Sequence, residues 1–297
     1  MIPGDGTGAQ PERQRPTFDA FLRLIRFDRP IGWLLLLWPT LLALWLAAGG
    51  FPPWPELLIF TAGVFLTRSA GCIINDYADR WLDPQVARTR LRPLATGELS
   101  GRFALGAFGV LMALAFGLVC LTNRTTVGLS GLALALAVLY PYCKRVMPVP
   151  QLVLGLAFSM GIPMAYTALG RWPDASACLL VLANLAWTTA YDTQYAMVDR
   201  EDDRRAGALS TALLFGTHDR LAIGLLQALA LSAMAAVGVL ERLGWPYGLG
   251  LAIVLVLFTL QARWTWQREP TACFRAFKHN QWVGLVWFGG AMAALLH

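Results

Sequence analysis

Charged residues are scarce in this chain: Asp, Glu, Lys and Arg make up 14% of its 297 residues, where an ordinary soluble domain has roughly 25%. Hydrophobic residues reach 57%. Histidine is scarcer still, and its three residues are too dispersed for a His-based metal cage or a nucleophilic triad. The composition therefore argues against a soluble globule and against most hydrolase mechanisms.

Paired cysteines are also missing. None of the five cysteines belongs to a C-x-x-C pair, so the sequence indicates neither a disulfide framework nor a zinc site.

The first 30 residues carry five arginines and no apolar core before Ile31, and we expect no cleavable signal peptide. We predict a cytoplasmic tail over residues 1–20 and a single transmembrane domain over residues 21–297.

Long apolar runs are what the chain has in abundance. A helix needs roughly 20 residues to cross a hydrocarbon core of about 30 Å. Because lipid cannot satisfy backbone polar groups, such runs should be helices, and barrel strands would be shorter and alternating. We predict an all-α polytopic membrane protein. Its nine candidate spans are residues 31–50, 55–75, 103–121, 125–141, 150–169, 176–195, 221–240, 244–262 and 281–296.

Basic residues indicate the orientation of these spans. With the N-terminus in the cytoplasm, most Arg and Lys residues fall in cytoplasmic connections, and the opposite loops hold only Arg124, Arg171 and Arg242. The net charge of +6 then reflects topology and contact with anionic lipid. A nucleic-acid partner is not expected, because its footprint requires a basic face outside the membrane.

Two long connections, residues 76–102 and 196–220, each begin with an acidic cluster where a helix leaves the membrane. If both helices continue past the interface, the polar groups of each cluster share one helix face. Pro84 then marks the end of the first extension. The first cluster supplies Asn75, Asp76, Asp79 and Asp83, and the second supplies Asp192, Asp199, Asp202 and Asp203.

Carboxylates at helix C-termini are destabilised by the helix dipole and by one another. The repulsion between two carboxylates about 6 Å apart is roughly 3 kcal/mol at an effective dielectric constant of about 20. This exceeds the stabilisation that an exposed ion pair contributes. We therefore expect flanking arginines alone to offset this repulsion poorly. A hard divalent cation offsets the repulsion, and oxygen-only ligands favour Mg²⁺ bound together with substrate phosphates.

Basic residues surround both clusters and suit a diphosphate group. They are Arg88, Arg90, Arg92, Lys144, Arg145, Arg204 and Arg205. Arg68 lies two helical turns deeper than Asn75 on the same face, so it either reaches into the site or snorkels toward the interface. Tyr140, Tyr142, Tyr166, Tyr191 and Tyr195 either stabilise a carbocation or belong to interfacial aromatic belts.

These segments resemble the UbiA-type membrane prenyltransferases over nearly the whole chain. The resemblance rests on the N-D-x-x-D-x-x-x-D motif at residues 75–83 and on Y-D-T-Q-Y-A-M-V-D at 191–199. The second segment is similar to the branch that acts on 4-hydroxybenzoate. Residues 26–32, 36–40, 88–93, 144–151, 210–212 and 277–280 carry further matching motifs. Glu201 departs from a more usual Asp and keeps the charge.

The resemblance implies helices around a central cavity that opens to the cytoplasm, in a bacterial inner membrane. It implies Mg²⁺-dependent transfer from a polyprenyl diphosphate to the ring carbon ortho to the hydroxyl of 4-hydroxybenzoate, with membrane lipid as surroundings and no obligate protein partner. Its expected metal ligands are Asn75, Asp79, Asp83, Asp199 and Asp203. Arg68, Arg88, Arg92, Lys144, Asp76, Asp192 and Asp202 are expected to support the diphosphate site. Arg145 is expected to bind the acceptor carboxylate, with Lys144 or an arginine of the first span as fallback.

Two other functions remain open at this point. A sister prenyltransferase would use a naphthoate or haem as acceptor. A secondary transporter would also use intramembrane acids, but it would place them near the bilayer midplane and not at cytoplasmic helix exits.

Overall fold

The computed structural model describes residues 18–297, and the regular structure in that range is helical. Most of the predicted tail, residues 1–17, lies outside the described residues. The helices are α1 (Phe18–Leu24), α2 (Ile31–Ala48), α3 (Trp54–Ala78), α4 (Gly101–Val119), α5 (Arg124–Cys143), α6 (Pro150–Ser159), α7 (Gly161–Ala168), α8 (Ala175–Val198), α9 (Arg200–Ala206), α10 (Thr211–Phe215), α11 (Asp219–Leu240), α12 (Trp245–Trp264) and α13 (Pro270–Leu295).

Seven segments of the described range are long and apolar enough to cross a membrane: α2, α3, α4, α5, the α6–α7 pair, α10–α11 and α12. They coincide with seven of the apolar runs predicted from the sequence, so an all-helical membrane protein is confirmed. The other two runs lie in α8 and α13, which have 24 and 26 residues. At about 1.5 Å per residue, both are long enough to cross a core of about 30 Å.

Helix α8 lies inside the bundle, packed against α6, α11 and α13. Its polar residues therefore need not face lipid. Its polar side chains belong to a hydrogen-bond network with residues of α11, α12 and α13. Asn280 donates to Gln194 at 3.0 Å, and Gln194 and Gln227 both donate to Gln261, at 3.2 and 2.9 Å. The indole of Trp187 donates to Asn280 at 2.8 Å. Buried amides paired in this way cost little in a low-dielectric interior and fix how the helices pack.

The helices that carry the acidic clusters end earlier than the sequence predicted. Helix α3 stops at Ala78 and α8 stops at Val198, so the prediction of continuous extensions to Pro84 and to Asp203 is wrong. The chain turns at Asp79 and at Asp199, where ψ is near zero. One cause is tertiary: the Arg145 guanidinium donates to the terminal carbonyl of Ala78 at 2.7 Å.

The two turns nevertheless have the same local geometry. The backbone N–H of Asp83 donates to the carbonyl of Asp79 at 2.8 Å, and that of Asp203 donates to Asp199 at 2.8 Å. Each pair is therefore separated by one turn closed by a hydrogen bond of helical spacing. The predicted i, i+4 relationship within each pair survives although the long helix does not.

Gly284 of α13 marks a close approach to α2 and α8. A Cβ atom there would lie 2.5 Å from Cδ1 of Trp38 and 2.8 Å from Cη2 of Trp187. Because neither indole can move without disturbing its helix, we expect Gly284→Ala to lower the free energy of unfolding by about 1–3 kcal/mol. Thermal unfolding in detergent measures this. Gly289→Ala is the control, since nothing lies within 4 Å of its Cβ; equal midpoints for the two variants would contradict the packing argument.

Candidate active site

A cavity of about 850 Å³ opens among α2, α3, α4, α5, α6 and α8 and contains both acidic clusters. Within the described range, seven acidic and seven basic side chains line it. The acids are Asp28, Asp76, Asp79, Asp83, Asp192, Asp199 and Asp203; the bases are Arg23, Arg26, Arg29, Arg68, Arg88, Arg92 and Lys144. The formal charges of these side chains balance before any ligand is added.

The two connections that carry the acidic clusters contact each other directly. Arg88, on the connection after α3, forms a bidentate ion pair with Asp199 at the end of α8, with Nε 2.9 Å from Oδ1. Its guanidinium also lies 4.5 Å from the centre of the Tyr195 ring. Beside it, the backbone N–H of Ala87 donates to Asp202 at 3.2 Å. The predicted apposition of the two acidic connections is thus observed.

Ion pairs neutralise the first cluster. Asp76, which is fully buried, accepts from Arg26 at 2.7 Å and lies 2.9 Å from Arg92. Arg92 also lies 3.0 Å from Asp83. Burial raises the pKa of Asp83, and Arg92 opposes that rise. The expectation that neighbouring arginines offset carboxylate repulsion poorly assumed exposed ion pairs, whereas these pairs are mostly buried.

Arg26 was given no role by the sequence analysis. It lies 50 residues from Asp76 in the chain, so no local pattern connects the two. The sequence signal that points to Arg26 is the R-F-D-R-P motif at residues 26–30, ahead of the first span. In the structure Arg26 has a left-handed backbone, with φ of 59°. A non-glycine residue in that conformation is uncommon and often marks a functional constraint.

Asp79 pairs with Lys144, whose Nζ lies 3.3 Å away. Burial alone lowers the pKa of Lys144, but Tyr140 and Asp79 raise it above its usual value, so the ammonium stays charged. Arg145 is 4.0 Å from Asp79, and its side chain is 52% exposed. It donates to Ala78 and is not among the residues that line the cavity, so its predicted contact with the acceptor carboxylate stays a prediction.

Three predicted polar residues line the cavity without an ion pair in the described range: Asn75, Asp192 and Asp203. Burial, followed by the charge of Asp199, raises the pKa of Asp203 to about 6. Asp202 bonds to the Ala87 backbone and does not line the cavity, and its predicted support of the diphosphate site stays a prediction.

The oxygen donors suit a hard cation, although no three acidic, histidine or cysteine side chains within residues 18–297 form a ready-made metal cage. Asn75, Asp79, Asp83, Asp199 and Asp203 all line the same cavity. Among the described residues that line the cavity there is no histidine, and the one cysteine, Cys72, lies one turn before Asn75 in α3. The residues present therefore fit Mg²⁺ held jointly with a phosphate group, since Mg²⁺ usually takes few protein ligands.

Arg68 is a cation without a carboxylate partner. Its Nε is buried and has no hydrogen-bond acceptor, and Nη1 donates to the Cys72 thiol sulfur at 3.0 Å. Among residues 18–297 it forms no ion pair within 4 Å. The Arg68 guanidinium fits against α2 because residue 32 is glycine: a Cβ atom on Gly32 would lie 2.7 Å from it. Of the two interpretations open from sequence, the structure supports a cavity-lining role.

Aromatic rings form one wall of the cavity beside Arg88. The ring centres of Tyr195 and Phe277 are 4.6 Å apart, and Phe274 lies 6.2 Å from Tyr195. Tyr140 and Tyr191 line the same cavity, whereas Tyr142 and Tyr166 do not. The electron-rich faces of such rings attract cations, so this wall suits a reaction centre with positive charge.

An apolar arm of the cavity runs between α4 and α5 toward the far end of both helices. Apart from Ser130 and Gly131, its side chains are hydrophobic, and Phe116 is 55% exposed. An apolar slot that reaches lipid suits a long hydrocarbon chain, which gains little by leaving the bilayer. The lining residues are Phe108, Met112, Ala115, Phe116 and Val119 of α4, and Val127, Ser130, Gly131, Leu134 and Ala137 of α5.

Comparisons with known proteins give consistent results. The UbiA prenyltransferase family model matches residues 36–285. A 4-hydroxybenzoate octaprenyltransferase of Xylella fastidiosa (strain 9a5c) is 53% identical over 283 residues, covering 95% of each chain. A protein of the same name from Chromohalobacter salexigens is 57% identical over 275 residues, covering 93% of this chain and 92% of the relative.

Solved structures share the fold. A UbiA homolog from Aeropyrum pernix K1 has a TM-score of 0.79 at 25% identity, covering 88% of this chain and 97% of that chain. A UbiA homolog from Archaeoglobus fulgidus bound to GPP and Mg²⁺ has a TM-score of 0.70 at 17% identity, covering 94% of this chain and 100% of that chain. The helical arrangement described above is that of these proteins.

Arg92 tests whether ion pairing stabilises the cavity. Arg92→Gln leaves Asp83 buried without an ion pair, and removing one partner of a buried pair costs on the order of 3 kcal/mol. We expect a corresponding fall in the thermal midpoint of the detergent-solubilised protein. Arg90→Gln is the matched control, because Arg90 is exposed. If the two variants unfold at the same temperature, the ion pairs of Arg92 do not stabilise the cavity.

Proposed function

The chain belongs to the UbiA prenyltransferase family, and from that membership and the charged cavity we propose that it transfers a polyprenyl group from a polyprenyl diphosphate to 4-hydroxybenzoate, with Mg²⁺. The observation that carries the proposal is that acids of both clusters line one cavity, with Arg88 of the first connection paired to Asp199 of the second. The relatives named as 4-hydroxybenzoate octaprenyltransferases, at 53% and 57% identity, support the choice of acceptor and of an octaprenyl donor.

In this proposal α8 and α13 are also membrane spans, which brings the helices that cross the membrane to the predicted nine. Their lengths of 24 and 26 residues support this. Several of their polar residues face other helices, as the hydrogen bond between the Gln194 and Asn280 side-chain amides illustrates. These groups are therefore shielded from lipid although they lower the mean hydropathy of the two helices. The concentration of basic residues supports an N-terminus and a cavity mouth on the cytoplasmic side of a bacterial inner membrane.

Asn75, Asp79, Asp83, Asp199 and Asp203 would hold Mg²⁺, which when bound stabilises the negative charge that develops on the departing diphosphate. Arg88, Arg92 and Lys144 now pair with acids of this set. In the substrate complex they would exchange those carboxylates for phosphate oxygens and donate charge-assisted hydrogen bonds. The bond between prenyl C1 and the diphosphate oxygen then breaks, and its electron pair leaves with the diphosphate.

Arg68, and not Arg145, is the proposed partner of the acceptor carboxylate. Its Nε is buried and unpartnered inside the cavity, whereas Arg145 is half-exposed and bonds to Ala78. An unpaired buried guanidinium is costly, and an anionic ligand would offset that cost. Arg68 also lies 5.8 Å from the ring centre of Phe158, so an aromatic acid meets both a cation and an apolar surface.

The aromatic wall and Asp192 complete the proposed chemistry. The rings of Tyr195 and Phe277 would stabilise positive charge at prenyl C1 as the diphosphate leaves. The acceptor carbon ortho to the hydroxyl forms the new bond to C1, and the ring proton at that carbon goes to a base. Asp192 lines the cavity without an ion pair and is the proposed base. The polyprenyl tail occupies the apolar arm between α4 and α5.

Neutralising one acid of each cluster tests the metal role. We expect Asp79→Asn and Asp199→Asn each to reduce transfer of a radiolabelled polyprenyl group by about a hundredfold or more, because a neutral amide binds Mg²⁺ weakly. The assay uses protein in phospholipid vesicles with Mg²⁺ and 4-hydroxybenzoate. Asp174→Asn, at the N-cap of α8 and outside the cavity, is the control and should stay active.

The same assay separates the alternatives. Retained activity in both cluster variants would remove the metal assignment. Transfer to a naphthoate or haem acceptor in place of 4-hydroxybenzoate would identify a sister prenyltransferase. No transfer to any acceptor by the wild-type protein would overturn the enzyme proposal altogether.

Arg68 can be tested with a matched pair of acceptors. We expect Arg68→Gln to raise KM for 4-hydroxybenzoate by about tenfold or more, since a buried charge pair loses one partner. KM for the uncharged 4-hydroxybenzamide should change little, because it has no carboxylate to bind. Arg145→Gln serves as the control: Arg145 holds the end of α3 but does not contact the acceptor in this proposal, so the variant should change KM for the two acceptors by the same factor. A rise in KM for 4-hydroxybenzoate alone in Arg145→Gln, with none in Arg68→Gln, would restore the assignment predicted from sequence.

A further inference from the structure

A second ionic cluster lies outside the cavity, at the start of α11. Asp219 is fully buried and accepts hydrogen bonds from the guanidinium groups of Arg200 and Arg268, with Arg268 Nε 3.0 Å away. The backbone N–H of Arg220 donates to it at 2.6 Å. Neither Asp219 nor its two arginine partners line the cavity. Direct contact of this cluster with substrate is therefore not part of its role.

The cluster connects three parts of the chain that are distant in sequence. Arg200 begins α9, Asp219 begins α11, and Arg268 follows α12. Arg268 adopts a left-handed backbone with φ of 59° and also donates to the carbonyl of Thr217 at 2.7 Å. A buried carboxylate with two guanidinium partners is stable only while all three keep their positions, because losing one leaves an uncompensated charge.

Arg200 is the residue immediately after Asp199. Asp199 ends α8 and begins α9, and its carbonyl accepts from the backbone N–H of Asp203 at 2.8 Å. Fixing the Arg200 side chain therefore fixes the turn that carries both carboxylates. Beneath this turn, Met197 packs with Ile223 and Cys273 in a small apolar cluster, so α8 is held against α11 and α13 from below.

We propose that Asp219 is a positioning residue, which through Arg200 holds the carboxylates of Asp199 and Asp203 in the orientation that binds the metal-diphosphate group. The inference rests on the proposed function, in which those two acids are metal ligands. Residues that orient metal ligands from behind typically change metal affinity by about 10- to 100-fold when mutated. Asp219 therefore acts on affinity at the site although it does not touch the ligand.

The test compares Asp219→Asn with the wild-type protein in two measurements. Hydrogen–deuterium exchange of the metal-free protein reports on residues 199–206, which we expect to exchange faster in the variant. Electron paramagnetic resonance reports binding of Mn²⁺ with inorganic diphosphate, for which we expect affinity to fall by about tenfold. Arg268→Gln, whose side chain is 33% exposed, removes a different partner and should change both in the same direction.

Gly284→Ala is the control for general destabilisation, since Gly284 lies in α13 beside Trp38 and Trp187. It should lower the thermal midpoint without changing exchange at 199–206 or Mn²⁺ affinity. The inference is overturned if Asp219→Asn and Arg268→Gln bind Mn²⁺ and diphosphate as the wild type does, or if Gly284→Ala weakens binding equally. A wild-type protein that binds no Mn²⁺ with diphosphate would instead overturn the proposed function itself.

Discussion

Ion pairing between acids and bases in the cavity is the interaction on which the rest of the structure depends. Seven acids and seven bases of the described residues line one space within a membrane protein. Removing either sign leaves buried, uncompensated charge. In the proposed complex, Mg²⁺ and a diphosphate would bring opposite charges of their own, so an acid would exchange its arginine or lysine for the metal while the base takes a phosphate. Either ion alone would upset the balance.

The membrane bundle explains why such a charged cavity is tolerated. Helix α8 carries the second cluster and is buried among other helices, where Gln194 finds its partners in Asn280 and Gln261. In helices α4 and α5, by contrast, only 17% of the most apolar stretch is buried, and both helices are exposed along most of their length. Polar chemistry is thus confined to an interior shielded by apolar helices, while the slot between α4 and α5 connects that interior with lipid.

Much of this arrangement follows from the sequence alone. Apolar runs of sufficient length determine the helices, and two acidic clusters at helix exits on one side of the membrane predict their meeting. Sequence periodicity does not show where a helix ends when a residue distant in sequence determines that end. The end of α3 depends on Arg145, which bonds to Ala78 across 67 positions of sequence, and the pairing of Arg26 with Asp76 spans 50. Arg145 accordingly serves a helix end and not the cavity.

The paired turns at Asp79 and Asp199 show why distant anchors are needed. Each turn is closed by one backbone hydrogen bond of 2.8 Å, to Asp83 and to Asp203. A single turn of this kind is marginal in isolation, because nucleating helical structure fixes several dihedral angles for one hydrogen bond. The first turn is held by Arg145 at the Ala78 carbonyl. Within residues 18–297 no such contact is present at Val198, and the ionic cluster around Asp219 is the proposed counterpart. Two similar acidic turns are thus stabilised by different tertiary contacts, each outside the cavity itself.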